Sequence, residues 1–173
     1  MKCKILLVFG LVLIIAGTNM AFSPVPQTTD VVNWRELVPY LIDVPGYEGE
    51  KPDGSTITMG EVKISQAERD YTKGEKSLTI LIMDGSSMLP LYTSWMAMQN
   101  FEVDTSEEMI KKTTVEGFSG VEHMQFEDKE AELILALSER MMVQLTGENY
   151  EDTKELKEIA GKLDLKKLAE LAK

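Results

Sequence analysis

From Glu130 to Gly147 apolar side chains recur at every second position, with the chain turning at Glu139-Arg140. Ala131, Leu133, Leu135 and Leu137 share one face of the first run, and Met141, Val143 and Leu145 answer them on the second. Successive side chains of a strand point to opposite faces, so the pattern is that of two half-buried strands. So short a connection forces them to be antiparallel neighbours. The reading extends upstream, where Val121 to Glu127 connects through Asp128-Lys129, and Lys112 to Gly117 connects through Phe118-Ser119-Gly120. A meander of four strands is predicted.

A hairpin is expected before it. Residues Thr58 to Thr72 and Lys76 to Asp84 flank Lys73-Gly74-Glu75, with glycine where a left-handed backbone is usual. Leu78 to Met83 is apolar on both faces, as a central strand would be. In the first arm Val62 and Ile64 are even and Ala67 and Tyr71 odd, which predicts a β-bulge near Ser65 to Ala67. Asn33 with Glu36 caps a short helix carrying Trp34, Leu37, Val38 and Leu41, cut short by Pro39. Asp43 to Gly54 reads as a loop. Ser86 or Ser87 caps a helix to about Asn100, with Met88, Leu91, Trp95 and Met98 on one stripe, and a charged stretch follows from Glu102 to Glu108. Two closing helices start at Asp152, with Glu155 as its capping partner, and at Asp164. They turn Leu156, Ile159, Ala160 and Leu163, then Leu165, Leu168 and Leu171, inward. The expected fold is α+β: an antiparallel sheet of about six strands with helices packed on it, preceded by an N-terminal hydrophobic signal helix.

That N-terminal segment carries the address. Lys2 and Lys4 precede an unbroken apolar run from Ile5 to Ala16, and small residues lead to Ala21. The layout is that of a secretory signal, and the run falls short of the roughly 20 residues of a spanning helix. The expectation is a signal peptide over residues 1–21, an extended leader over 22–29 holding Pro24 and Pro26, and a single domain over 30–173. The alternative is an uncleaved anchor, since Asn19 is an imperfect cleavage residue. Either way the domain is extracytoplasmic, periplasmic or secreted, tethered through residues 5–21 if the signal is retained. Cys3, the lone cysteine, would leave with the signal, so the mature domain relies on its core without disulfides. The formal charge is −11, and losing Lys2 and Lys4 would make it two units more negative. Such a surface repels phosphate backbones and anionic lipid, excluding nucleic acid as partner and leaving membrane contact to the N-terminal segment.

Few chemistries survive. His123 is the one histidine, which excludes a zinc site of several imidazoles and leaves a serine relay a single possible base. Its simplest role is a strand histidine making an ordinary hydrogen bond. Ser119 lacks the strand-to-helix elbow of a nucleophilic serine, and Asp53-Gly54-Ser55 and Asp84-Gly85-Ser86 lack the alternating ligands of a calcium loop. No cofactor or metal is expected. Arg69, Tyr71 and Arg140 are weak polar candidates for an anion site, with a turn residue and an exposed strand residue as simpler readings of the two arginines. The eleven methionines suit core packing first, then an apolar groove around Trp95, Met96 and Met98, and least Cu(I).

The hairpin Ser65-Gln66-Ala67-Glu68-Arg69-Asp70-Tyr71-Thr72-Lys73-Gly74, the turn Val115-Glu116-Gly117-Phe118-Ser119-Gly120, and the strand from Arg140 to Gly147 with the helices after it resemble the Mog1, PsbP and DcrB superfamily and exported bacterial proteins of similar size. The resemblance spans about residues 30–173 and implies binding or assembly roles more than catalysis. Two functions are carried forward: a non-enzymatic binding or assembly domain of the cell envelope, whose partner is an envelope protein or apolar ligand, and a hydrolase using carboxylates.

Overall fold

The computed structural model describes residues 30–60, 62–85 and 102–173. The signal segment, the leader up to residue 29, and the expected helix from Ser86 to Asn100 with Trp95, Met96 and Met98 lie outside the described residues. The rest is an antiparallel sheet with helices on one face, as the α+β reading requires. Nine strands are described rather than six: β1 (Glu48–Gly49), β2 (Asp53–Met59), β3 (Val62–Lys73), β4 (Lys76–Gly85), β5 (Val103–Asp104), β6 (Glu108–Val115), β7 (Phe118–Gln125), β8 (Glu130–Ala136) and β9 (Met141–Glu148). Their order is β1-β3-β4-β9-β8-β7-β6-β5, with β2 also paired to β3. The helices are α1 (Trp34–Leu37), continued by a 3₁₀ turn at Val38–Tyr40, then α2 (Lys154–Ala160) and α3 (Leu165–Leu171).

The expected alternation sets the register of β8 and β9, where Leu133 opposes Leu145 and Leu135 opposes Val143, all four with no exposed surface. Strand β4 is central, between β3 and β9. Several local expectations need correction. There is no bulge near Ser65: β3 pairs with β4 without a break from Ile64↔Gly85 to Lys73↔Lys76. The parity change has another cause, because the expected first arm is two strands that turn at Gly60, whose φ is +63. Ile57 opposes Ile64 and Met59 opposes Val62, so the even residues of β3 are apolar near that turn for a reason unrelated to the core. The loop expected over Asp43 to Gly54 contains β1 and the start of β2. The charged stretch from Glu102 to Glu108 contains β5. The turn expected at Phe118-Ser119-Gly120 lies at Glu116-Gly117, with φ of +51 and +89 and Val115 paired to Phe118. Two positive φ values in a two-residue loop match the twist of the flanking strands.

Parity divides the sheet. Ala67, Tyr71, Leu78, Ile80, Ile82, Leu133, Leu135, Val143 and Leu145 face the helices and are buried with Leu37, Leu41, Leu156, Ile159, Leu165 and Leu168. Each of the valine, leucine and isoleucine side chains among them contributes about 1.5–3 kcal/mol. Asn33 Oδ1 accepts from Arg35 N at 3.0 Å, capping α1. Asp164 Oδ1 accepts from Lys167 N at 3.2 Å, capping α3. The cap of α2 differs from expectation: Asp152 Oδ1 takes Lys154 N at 2.9 Å, while Thr153 and Glu155 are spent on contacts across the sheet.

Candidate functional site

Three polar clusters line the helical side, and each is consumed by the fold. The first joins the ends of β4 and β9. Asp84, without exposed surface, accepts from Val32 N at 2.7 Å and from Arg140 Nη2 at 3.0 Å. Arg140 Nη1 also donates to the Asp30 carbonyl at 2.8 Å, so this pair pins the chain as it enters the domain. Burial pushes the Asp84 carboxyl up, and the bonds from Val32 and Arg140 offset only part of that.

The second cluster surrounds Glu155 of α2. Lys76 Nζ reaches Oε2 at 2.5 Å, while Lys73 Nζ at 3.1 Å and the Tyr47 hydroxyl at 3.0 Å donate to Oε1. Since Tyr47 spends its proton on Glu155, the 2.6 Å contact between hydroxyls is donated by Tyr150. The Lys76 ammonium also stands 4.4 Å from the centroid of the Tyr150 ring. The hydrogen bond from Lys76 outweighs the cost of burial and, with Lys73 and Tyr47, holds Glu155 down at about 2.

The third cluster is Glu122, 2% exposed. Burial would raise its pKa, but the bonds from Lys157 and from the Thr153 hydroxyl, together with the charge of Lys111, lower it. Lys157 Nζ lies 2.8 Å from Oε2 and Lys111 Nζ 3.5 Å from Oε1. This cluster ties α2 to β7.

The weak polar candidates from the sequence fall in two places. Arg69 and Tyr71 hold the segment between the 3₁₀ turn and β1. Arg69 donates from Nε to the Glu50 carbonyl at 2.8 Å, from Nη1 to the Leu41 carbonyl at 2.9 Å and from Nη2 to Asp43 at 2.7 Å. Tyr71, buried, donates to the Ile42 carbonyl at 2.8 Å. With all three nitrogens engaged, the Arg69 guanidinium clamps this loop. His123 lies on the opposite face of the sheet, with Nε2 3.2 Å from Glu108 and Nδ1 3.9 Å from Glu132. Among the described residues no group of three or more His, Cys, Asp and Glu side chains is placed to hold a metal ion.

What the sequence did not single out is the edge of the sheet. Strand β2 pairs on one side with β3, and Ile57 and Met59 on it are 49% and 64% exposed. Their cross-strand partners Ile64 and Val62 extend the apolar surface on the face away from the helices. Thr56-Ile57-Thr58-Met59 alternates with the period of a strand, a signal hidden by reading Thr58 onward as one long arm. Comparisons with family models, with curated proteins and with solved structures return no match, and the resemblance to the Mog1, PsbP and DcrB superfamily rests on the residues quoted for it.

Proposed function

We propose that this chain is an exported, non-enzymatic domain of the cell envelope that binds another envelope protein through the apolar end of the β2–β3 hairpin. One observation carries the reading: Ile57 and Met59 are large, apolar and about half exposed or more, on a strand whose outer edge is unpaired among the described residues. Exposed apolar side chains grouped on one rim mark interaction surfaces more often than scattered ones do. The polar clusters support it from the other side, because their charged groups are turned to one another and to the backbone. The signal-like segment over residues 1–21 supplies the export half of the proposal.

The hydrolase alternative needs two facing carboxyl groups, one with a raised pKa. Asp84 is the one carboxyl pushed upward among the described residues, and it faces a guanidinium. No observation favours that alternative.

Photocrosslinking in the native host tests the proposal. A benzophenone side chain at Met59 is expected to trap one envelope protein reproducibly, whereas the same probe at Glu151, exposed beyond β9, traps none. A Met59 probe that remains uncrosslinked in protein recovered outside the cytoplasm sinks it.

A further inference from the structure

The rims of the sheet are protected unequally. Strands β1 and β5 are two residues each, too short to template another chain. The half of β6 that extends past β5 carries Lys111 and Lys112, and lysine on an edge discourages pairing. Strand β2 is seven residues long, and its one charged side chain is Asp53 at its start. Pro52 guards only the entrance. No backbone hydrogen bond to Ile57, Thr58 or Met59 from beyond β3 exists among the described residues.

We infer that the partner binds by strand addition: an extended segment of it pairs antiparallel with β2 and continues the sheet. This rests on the binding role proposed above and specifies its form. Main-chain pairing at a free edge supplies affinity, and alternate side chains supply selectivity. The side chains beside Met59 and Ile57 would extend the apolar rows Met59–Val62 and Ile57–Ile64, so those two positions take aliphatic residues. At the other end Asp53 opposes Glu68, both exposed, and Asp70 lies two residues further along the same face of β3. Like charges opposite one another are unfavourable, so the position beside Asp53 takes lysine or arginine. The chain's charge of −11 disfavours a second copy of itself as the partner and favours a segment with a basic end.

The probe is a fluorescein-labelled peptide, Val-Thr-Ile-Thr-Val-Thr-Lys, whose valine start falls beside Met59 and whose lysine falls beside Asp53. Anisotropy with the full chain is expected to show saturable binding, weakened about tenfold or more by lysine→glutamate in the peptide and restored to that altered peptide by Asp53→Lys. Two further peptides carry N-methyl groups on alternate residues, in opposite phases. Strand addition requires one phase to abolish binding and the other to preserve it, because only one edge of the peptide meets β2. If both phases bind alike, docking occurs on the apolar face without strand pairing; this inference falls while the binding role stands. No binding by any of the peptides overturns it too. A dimer in sedimentation that Ile57→Lys with Met59→Lys dissolves would show a second copy on the edge, and would also overturn it.

Discussion

Arg140 Nη2 donates to Asp84 Oδ2 at 3.0 Å, and the carboxyl it meets has no exposed surface. Among the described residues Asp84 Oδ1 has no hydrogen-bond partner, so compensation of this carboxyl falls to the bonds that Val32 and Arg140 make to Oδ2. Removing one member of a buried ion pair leaves an uncompensated charge, and Arg140→Ala is expected to cost about 3 kcal/mol near neutral pH. The sign with pH follows from the upward shift of Asp84. A carboxyl whose folded pKa lies above its unfolded value favours the folded state when protonated, so its stability contribution is lost as pH rises through that interval. Without Arg140 the shift grows, and the penalty of the substitution should shrink at about pH 4 compared with about pH 7. Urea unfolding of both proteins at both pH values checks this, and an equal penalty at the two would refute it.

Glu155 behaves in the opposite sense. Lys76, then Lys73 and Tyr47, hold its pKa near 2 against an ordinary 4.5. A depressed carboxylate contributes stability above its unfolded pKa and loses it as pH falls through the folded one. The native protein should therefore lose stability between pH of about 4.5 and about 2, and Glu155→Gln should flatten that limb. Thermal unfolding across this range measures it, and an unchanged limb in the variant would assign acid sensitivity to other groups.

The Tyr150 ring occupies the space that a side chain on Gly147 would need. A Cβ there would stand 2.5 Å from Cε2 and 2.7 Å from Cδ2, and the ring is buried with its hydroxyl bonded to Tyr47. The ring cannot swing aside without breaking that bond. Gly147→Ala is expected to destabilise by about 1–3 kcal/mol through overpacking. Tyr150→Ala opens the space, so the double variant should cost less than the sum of the two single ones. Additive unfolding energies would mean that the contact is not the cause.

How far this was readable from the residues depends on the reach of each interaction. Leu133, Leu135, Val143 and Leu145 announce β8 and β9 because one face of each is buried, which leaves a period of two in the sequence. Strand β2 leaves a weaker trace, since Gly54 and the mixed Ser55 to Met59 become a strand by pairing with β3. The turn at Glu116-Gly117 competes with the Ser119 and Gly120 that look more like turn residues. Parity had more to give at β7: Glu122 shares a face with Gly120 and Met124, toward the helices, while Val121 and His123 point away. His123 and Glu122 are adjacent in sequence yet occupy opposite sides of the sheet. Arg69 and Tyr71 stood out as polar residues, but their partners Leu41, Ile42 and Asp43 are more than twenty positions earlier, beyond any local pattern. The same is true of Arg140, whose partner Asp84 ends a run of apolar residues and could not be left unpaired there.

The edge surface separates binding from folding. Ile57 and Met59 project from the sheet with 49% and 64% of their surface exposed, and surface substitutions away from caps and networks change stability by only about 0.5 kcal/mol. Ile57→Lys with Met59→Lys should leave circular dichroism and the urea midpoint nearly unchanged. Leu133→Ala, in the core with no exposed surface, should cost about 2–5 kcal/mol. If the hairpin end exists for a partner, the lysine pair should abolish crosslinking from a third position on the same rim, such as Val62, in protein that is folded and exported at the normal level. Placing two lysines on the rim restores the protection that β6 already has in Lys111 and Lys112, so partner loss without instability is the expected result. A lysine pair that unfolds the domain would instead make Ile57 and Met59 structural, and crosslinking that persists in the folded variant would move the binding surface elsewhere.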